Sequence, residues 1–153
     1  MLKVLMYLFE NYMDNGVQLI SDKQVIGVEL AKAGFNSLEI EQAIHWLQGF
    51  LDQEKVVFNS IQCGESNFRI FNQEECDRLS EASRILLISL EQRHVMTPQI
   101  REIVIDRLMA LEFDIIEPVD VKWVVLMVLF HQKDSKAALT LMQDMVMHGD
   151  TVH

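Results

Sequence analysis

Cations, cysteines, glycines and long apolar runs are what this sequence has least of, and each scarcity excludes a class of function. Lys and Arg number 13 against 23 Asp and Glu over 153 residues, a formal charge of −10. A field of that sign repels phosphate polymers and anionic membrane surfaces, so direct nucleic-acid binding is disfavoured. The two cysteines, Cys63 and Cys76, belong to no CxxC pair, which speaks against a zinc ribbon or a disulfide framework and for a reduced, cytoplasmic protein. Six glycines are too scattered to form a phosphate-cradling loop, and no GxSxG occurs; a catalytic role is therefore not expected. No Pro-, Gly- or Ser-rich linker, repeat or low-complexity tract divides the chain. The start, MLKVLMYLFENY, lacks the basic region and cleavage site of a signal peptide.

The longest apolar run, WVVLMVLF from Trp123 to Phe130, is eight residues, far short of the ~18–20 that cross a bilayer. No membrane association is expected. At about 100° per residue this run is apolar on every side, which predicts a helix wrapped by its neighbours. Half of the sequence is hydrophobic and 24% is charged, a globular composition with enough length for a real core.

Leu2, Leu5, Met6, Phe9 and Met13 recur at helical spacing, and Asp14, Asn15 and Gly16 end the segment. Ser21 with Gln24 predicts a capping box for a second helix carried by Val25, Val28 and Ala31 or Lys32 and ended by Gly34. Asn36 with Glu39 starts a third, whose core arc is Ile40, Ala43, Ile44, Leu47, Phe50 and Leu51. VVFNSI (56–61) and NFRIFN (67–72) read as a β-hairpin. Three helices and then a hairpin is the order of a winged-helix unit. Asn72 with Glu75 predicts another box, opening one helix through Leu79, Ala82, Leu86, Leu87 and Leu90 to Arg93 and His94. Thr97 caps and Pro98 opens the next, with Ile100, Ile103, Val104, Leu108 and Leu111 apolar; Pro118 starts the buried one. Asp134 or Ser135 opens the last, with Ala138, Leu141, Met142, Met145 and Val146 inward, and 149–153 is a disordered tail.

A winged helix invites a DNA-binding reading, but the outward face of the third helix carries Glu41, Gln42, His45, Gln48 and Asp52 and no Lys or Arg. Residues 1–72 hold five cations against nine carboxylates. Glu91 and His94 have the Glu-x-x-His spacing of di-iron bundles, yet such a site needs a second copy. Met142, Met145, Met147 and His148 have soft-metal donors, but a Met-rich core face accounts for them. Neither is expected to bind metal, and no cofactor is expected. Trp46 falls near the edge of the third helix's core arc; a half-exposed ring there, with Gln42 beside it, is the candidate anchor for a partner protein.

Four blocks, MLKVLMYLFENY, AGFNSLEIEQAIHWLQ, RIFNQEECDRL and VKWVVLMVLF, together resemble the bacterial Smg proteins along nearly the whole chain. The resemblance implies a bacterial cytoplasmic protein of a family without an assigned activity, so it transfers no site residue. The resulting expectation is a mainly α protein with one small β-hairpin, its winged-helix-like N-terminal half (1–72) packed on a C-terminal helical bundle (73–148). Its expected role is non-catalytic binding of an unknown protein partner; the alternative is a nucleic-acid-associated regulator using the winged-helix-like half.

Overall fold

Helix ends in this chain are set by side-chain caps, and the computed structural model shows several of them closed as the sequence predicts. The structure describes residues 1–12, 23–57, 69–131 and 136–147. Among these are eight helices: α1 (Leu2–Tyr12), α2 (Lys23–Lys32), α3 (Ser37–Val57), α4 (Gln73–Arg78), α5 (Glu81–Gln92), α6 (Pro98–Met109), α7 (Pro118–His131) and α8 (Lys136–Met147). The chain divides into two units, 1–59 and 60–153.

In the first unit α3 meets both α1 and α2. Gly34, at φ +94°, ends α2 in the left-handed region that costs glycine nothing, and Phe35 N donates back to Leu30 O at 3.2 Å. Asn36 then caps α3 reciprocally: Glu39 N donates to Asn36 Oδ1 at 2.8 Å and Asn36 N to Glu39 Oε2 at 3.4 Å. Helix α2 departs from expectation. Val25 and Val28 are exposed, and Ile26 and Leu30 are the buried pair, because the helix has apolar residues on two faces and only one is covered. In α3 the buried set is Ile40, Ala43, Trp46 and Phe50. The buried arc is thus turned by roughly 50° towards Trp46 at the ~100° helical advance per residue. A Trp ring offers more apolar area than Ile44 or Leu47, which are only half-buried.

The expected hairpin and winged helix are overturned. Among the described residues there is no strand. Val56 and Val57 continue α3, whose preceding residues Asp52 to Lys55 are mostly good helix formers. Arg69 to Asn72 is irregular, with Arg69 held by ion pairs and Asn72 serving as a helix cap, so its polar groups are committed elsewhere. The rest of the predicted hairpin lies outside the described residues, as do Met13 to Gly16, Ser21, Asp134, Ser135 and the tail at 149–153.

In the second unit α7 is the central element, met by α5, α6 and α8. Val121 to Leu129 are all buried, as the all-round apolar run predicts, while Phe130 is half-buried. The single helix expected over 73–93 is two. Leu79 leaves the helix at φ −83°, ψ 119° and forms a parallel bridge with Ile116. Ile116 N donates to Arg78 O at 2.7 Å, and Ser80 N to Ile116 O at 3.1 Å. Ser80 then caps α5 by accepting from Ser83 N, so the break is stabilised on both sides. Arg78 ends α4 and reaches the C-terminus of α6. Its guanidinium donates to Met109 O at 2.7 Å, to Leu111 O, and to Phe113 O at 2.9 Å, carbonyls that the end of a helix leaves without partners. Thr97 Oγ1 accepts from Ile100 N at 3.3 Å with Pro98 in the first turn of α6, as expected. In α8 Met142 is buried, but Leu141, placed on the inner side by the sequence, is exposed.

Candidate functional site

The richest polar constellation among the described residues lies where α5 turns into α6. α5 ends at Gln92, and His94 takes φ +57°, the left-handed position usually given to glycine. His94 N donates to Glu91 O at 2.9 Å and Val95 N to Leu90 O at 3.0 Å, closing the helix end. Val95 and Met96 are buried under this turn, and Thr97 starts α6.

One helical turn into α6, Arg101 has a side chain only 8% exposed. It donates from Nη1 to Glu91 Oε2 at 2.5 Å and from Nε to Glu102 Oε1 at 3.0 Å, while its Nη2 lies 2.9 Å from Glu102 Oε1. Arg69 approaches the same carboxylate from the irregular segment before α4. Its Nε donates to Glu102 Oε1 at 2.8 Å and Nη2 to Glu102 Oε2 at 3.1 Å. It also clamps Glu75 in a two-pronged pair at 2.6 and 2.8 Å and donates to Ile70 O at 3.2 Å. All five N–H bonds of Arg69 therefore have an oxygen. Glu75 in turn closes the cap of α4: Asn72 N donates to its Oε2 at 3.0 Å, and its own N to Asn72 Oδ1 at 2.9 Å.

These contacts set the charges. The hydrogen bonds from Arg69 hold the Glu75 carboxyl below the usual carboxylate range, against the opposing effect of burial. The two glutamates hold Arg69 further above its already high value. Two guanidiniums meet three carboxylates, so the cluster carries one surplus negative charge.

Beside the cluster is a cavity of about 470 Å³, lined by Ile88, Glu91, His94, Met96, Pro98 and Arg101, with Arg69 at its edge. Its volume falls within the roughly 300–1,000 Å³ typical of ligand sites. Ile88 is 39% exposed, and Ile85, one turn earlier on α5, is 59% exposed. With Glu81 and Gln92 they form one outward line at i, i+4, i+7 and i+11.

The expected anchor on α3 is not formed as predicted. Trp46 is 3% exposed, with its ring 5.5 Å from that of Phe50, because the buried arc of α3 centres closer to it than the spacing of the aliphatic residues suggested. Gln42 is half-buried. Among the described residues no three of His, Cys, Asp and Glu come together as a metal site requires. Glu91 is engaged with Arg101, Met142 is buried, and Cys63 and His148 lie outside the described residues. No described helix is long and apolar enough to cross a membrane.

Sequence reasoning missed Arg69 and Arg101. Arg69 was read as a hairpin cation and Arg101 as part of a solvated face. The signal for Arg69 was present: it stands six residues before Glu75, with a capping box between them that brings the chain back on itself.

The sequence matches, over residues 1–153, the family described as "Protein of unknown function (DUF494)". It is 39% identical over 148 residues to the "Protein Smg homolog" of Vibrio cholerae serotype O1 (strain M66-2), covering 95% of this chain and 94% of the relative. The Smg homologs of Nitrosococcus oceani and Methylococcus capsulatus are 41% and 42% identical, covering 95% and 94% of this chain and 91% and 90% of the relatives. No solved structure matches.

Proposed function

We propose, from the premise that this chain belongs to the Smg family, that it is a non-catalytic binding module whose second unit engages a partner protein through the outward face of α5 and the adjoining cavity. The observation that carries this reading is the pair Ile85 and Ile88, exposed at one-turn spacing beside a concave, partly apolar cavity. Large apolar residues so arranged and rimmed by polar groups are the usual form of a helix-face contact. The Arg69–Glu75–Glu102–Arg101–Glu91 lacing supports it, since it ties the rim of the cavity to α4, α5 and α6 and so presents a preorganised surface.

The test is affinity purification of the full chain from native cells, beside an Ile85→Asp/Ile88→Asp variant. Both positions are exposed, so the variant should keep its far-UV circular dichroism and melting temperature while losing the co-purifying protein. Retention of the same partner by the folded variant would overturn the proposed face.

A further inference from the structure

We infer that the α5–α6 cavity receives an arginine or lysine side chain of the partner polypeptide, its aliphatic stem along Ile88, Met96 and Pro98 and its cationic head at Glu91. The inference rests on the protein-binding reading and names the chemistry of what is bound. Its first support is charge. Arg69 has no N–H to spare, and the five charged groups sum to one negative charge on a chain that is itself −10. Glu91 uses only Oε2, for Arg101; among the described residues Oε1 has no partner, and the side chain is 21% exposed. An open carboxylate oxygen in a concave, partly apolar site attracts a cation more strongly than it would on a flat surface, because less water competes.

The second support is shape. The walls beside Glu91 are Ile88, Met96 and Pro98, which suit the methylene stem of a long basic side chain and would offer nothing to a bare hydrated cation. The third is Arg101. Three of its five N–H bonds are engaged, and the remaining two can be met by a backbone carbonyl, which a polypeptide brings with its side chain and a free amine does not. An anion would meet three carboxylates for two guanidiniums.

Methyl-resolved NMR titration of the full chain tests this with three probes: acetyl-Leu-Arg-Leu-amide, acetyl-Leu-Glu-Leu-amide and acetyl-arginine-amide. The arginine tripeptide should shift the Ile88 and Met96 methyl resonances saturably. The glutamate tripeptide should bind at least about tenfold more weakly, and capped arginine alone several-fold more weakly. Glu91→Gln should weaken the arginine tripeptide about tenfold. Because that change also touches Arg101, Ile88→Ala is the second variant: it removes only part of an exposed side chain, should melt with the parent, and should lower affinity several-fold. Equal or better binding of the glutamate tripeptide would make this an anion site and overturn the inference, as would equal affinity for capped arginine, which would make it a small-cation site. Absence of shifts at Ile88 and Met96, or affinity unchanged in both variants, overturns it as well. If no tripeptide binds while partner capture still depends on Ile85 and Ile88, the cation inference falls and the protein-binding reading stands; tripeptide binding with partner capture indifferent to those residues gives the reverse.

Discussion

His94 holds a backbone conformation that a side chain disfavours, at φ +57°, the one such non-glycine residue among those described. A left-handed residue with a Cβ carries about 1 kcal/mol of strain, and glycine at this helix end relieves it. His94→Gly should therefore raise stability by about 0.5–1 kcal/mol, the gain being limited by the greater freedom of glycine in the unfolded chain. Urea denaturation reads this directly, and a loss of stability would mean that the imidazole makes a contribution larger than the strain. Arg78 is the opposite case, a residue whose whole guanidinium is spent on the carbonyls of Met109, Leu111 and Phe113. Arg78→Ala leaves those acceptors to water and unties α4 from the end of α6; we expect a loss of about 2–4 kcal/mol, from hydrogen bonds made by a charged donor. A change below about 1 kcal/mol in the same denaturation would show that water replaces the guanidinium without cost. Neither residue was legible beforehand, since a positive φ at a non-glycine and a side chain reaching 31 to 35 residues along the chain leave no local pattern.

At the scale of elements, the readable features were those with local causes. The caps at Asn36 and Asn72, the stop at Gly34, the start at Thr97–Pro98 and the all-round burial of α7 follow from residues three or four positions apart. The hairpin was misread because β-branched and aromatic content was taken as strand, whereas helix continuation claims Val56 and Val57, and ion pairing and a cap claim Arg69 and Asn72. The break at Leu79 depends on Ile116, too distant in sequence to be seen. Within α7, Val125→Asp places a carboxylate where no water reaches, at a cost of roughly 4 kcal/mol or more. A thermal melt within a few degrees of the parent would contradict the burial of that helix. The acidic network makes a pH prediction. Arg69 lowers the folded-state value of Glu75 below its ordinary 4.5, so this pair's stabilisation is complete above the unfolded value and is lost as pH falls through the folded one. Burial raises Asp120 and works in the other direction near its ordinary 3.8. Arg69→Met, which strands Glu75 and part of Glu102, should cost about 3 kcal/mol at pH 7. That deficit should shrink between about pH 5 and 3 as the stranded carboxylates take up protons. Urea midpoints across that range, parent against variant, give the test; a constant deficit would mean that packing by the Arg69 stem, not its charge, is what was lost.

For the whole molecule, family membership and helical class were legible because four blocks of sequence span the chain in order, while the location of a binding face was not. Trp46 looked like an anchor from the angle of one helix taken alone, but a helix shows its exposed side only once its neighbours are known, and α3 turns Trp46 inward. Charge, in contrast, is additive and needs no fold. With −10 overall, and with Glu41 and His45 exposed on the outward side of α3, the surface has few cations to displace the counterions of a duplex. The release of those counterions is what gives basic proteins their non-specific affinity of ~10⁻⁴ to 10⁻⁶ M at physiological salt, so this chain should bind more weakly than that range. Fluorescence anisotropy of a labelled duplex, titrated with the isolated protein at near-physiological and at low salt, should show no saturation at 100 micromolar protein in the first condition. Micromolar binding with a steep salt dependence would place a cationic surface where the described residues offer none, and would return nucleic acid to the list of partners.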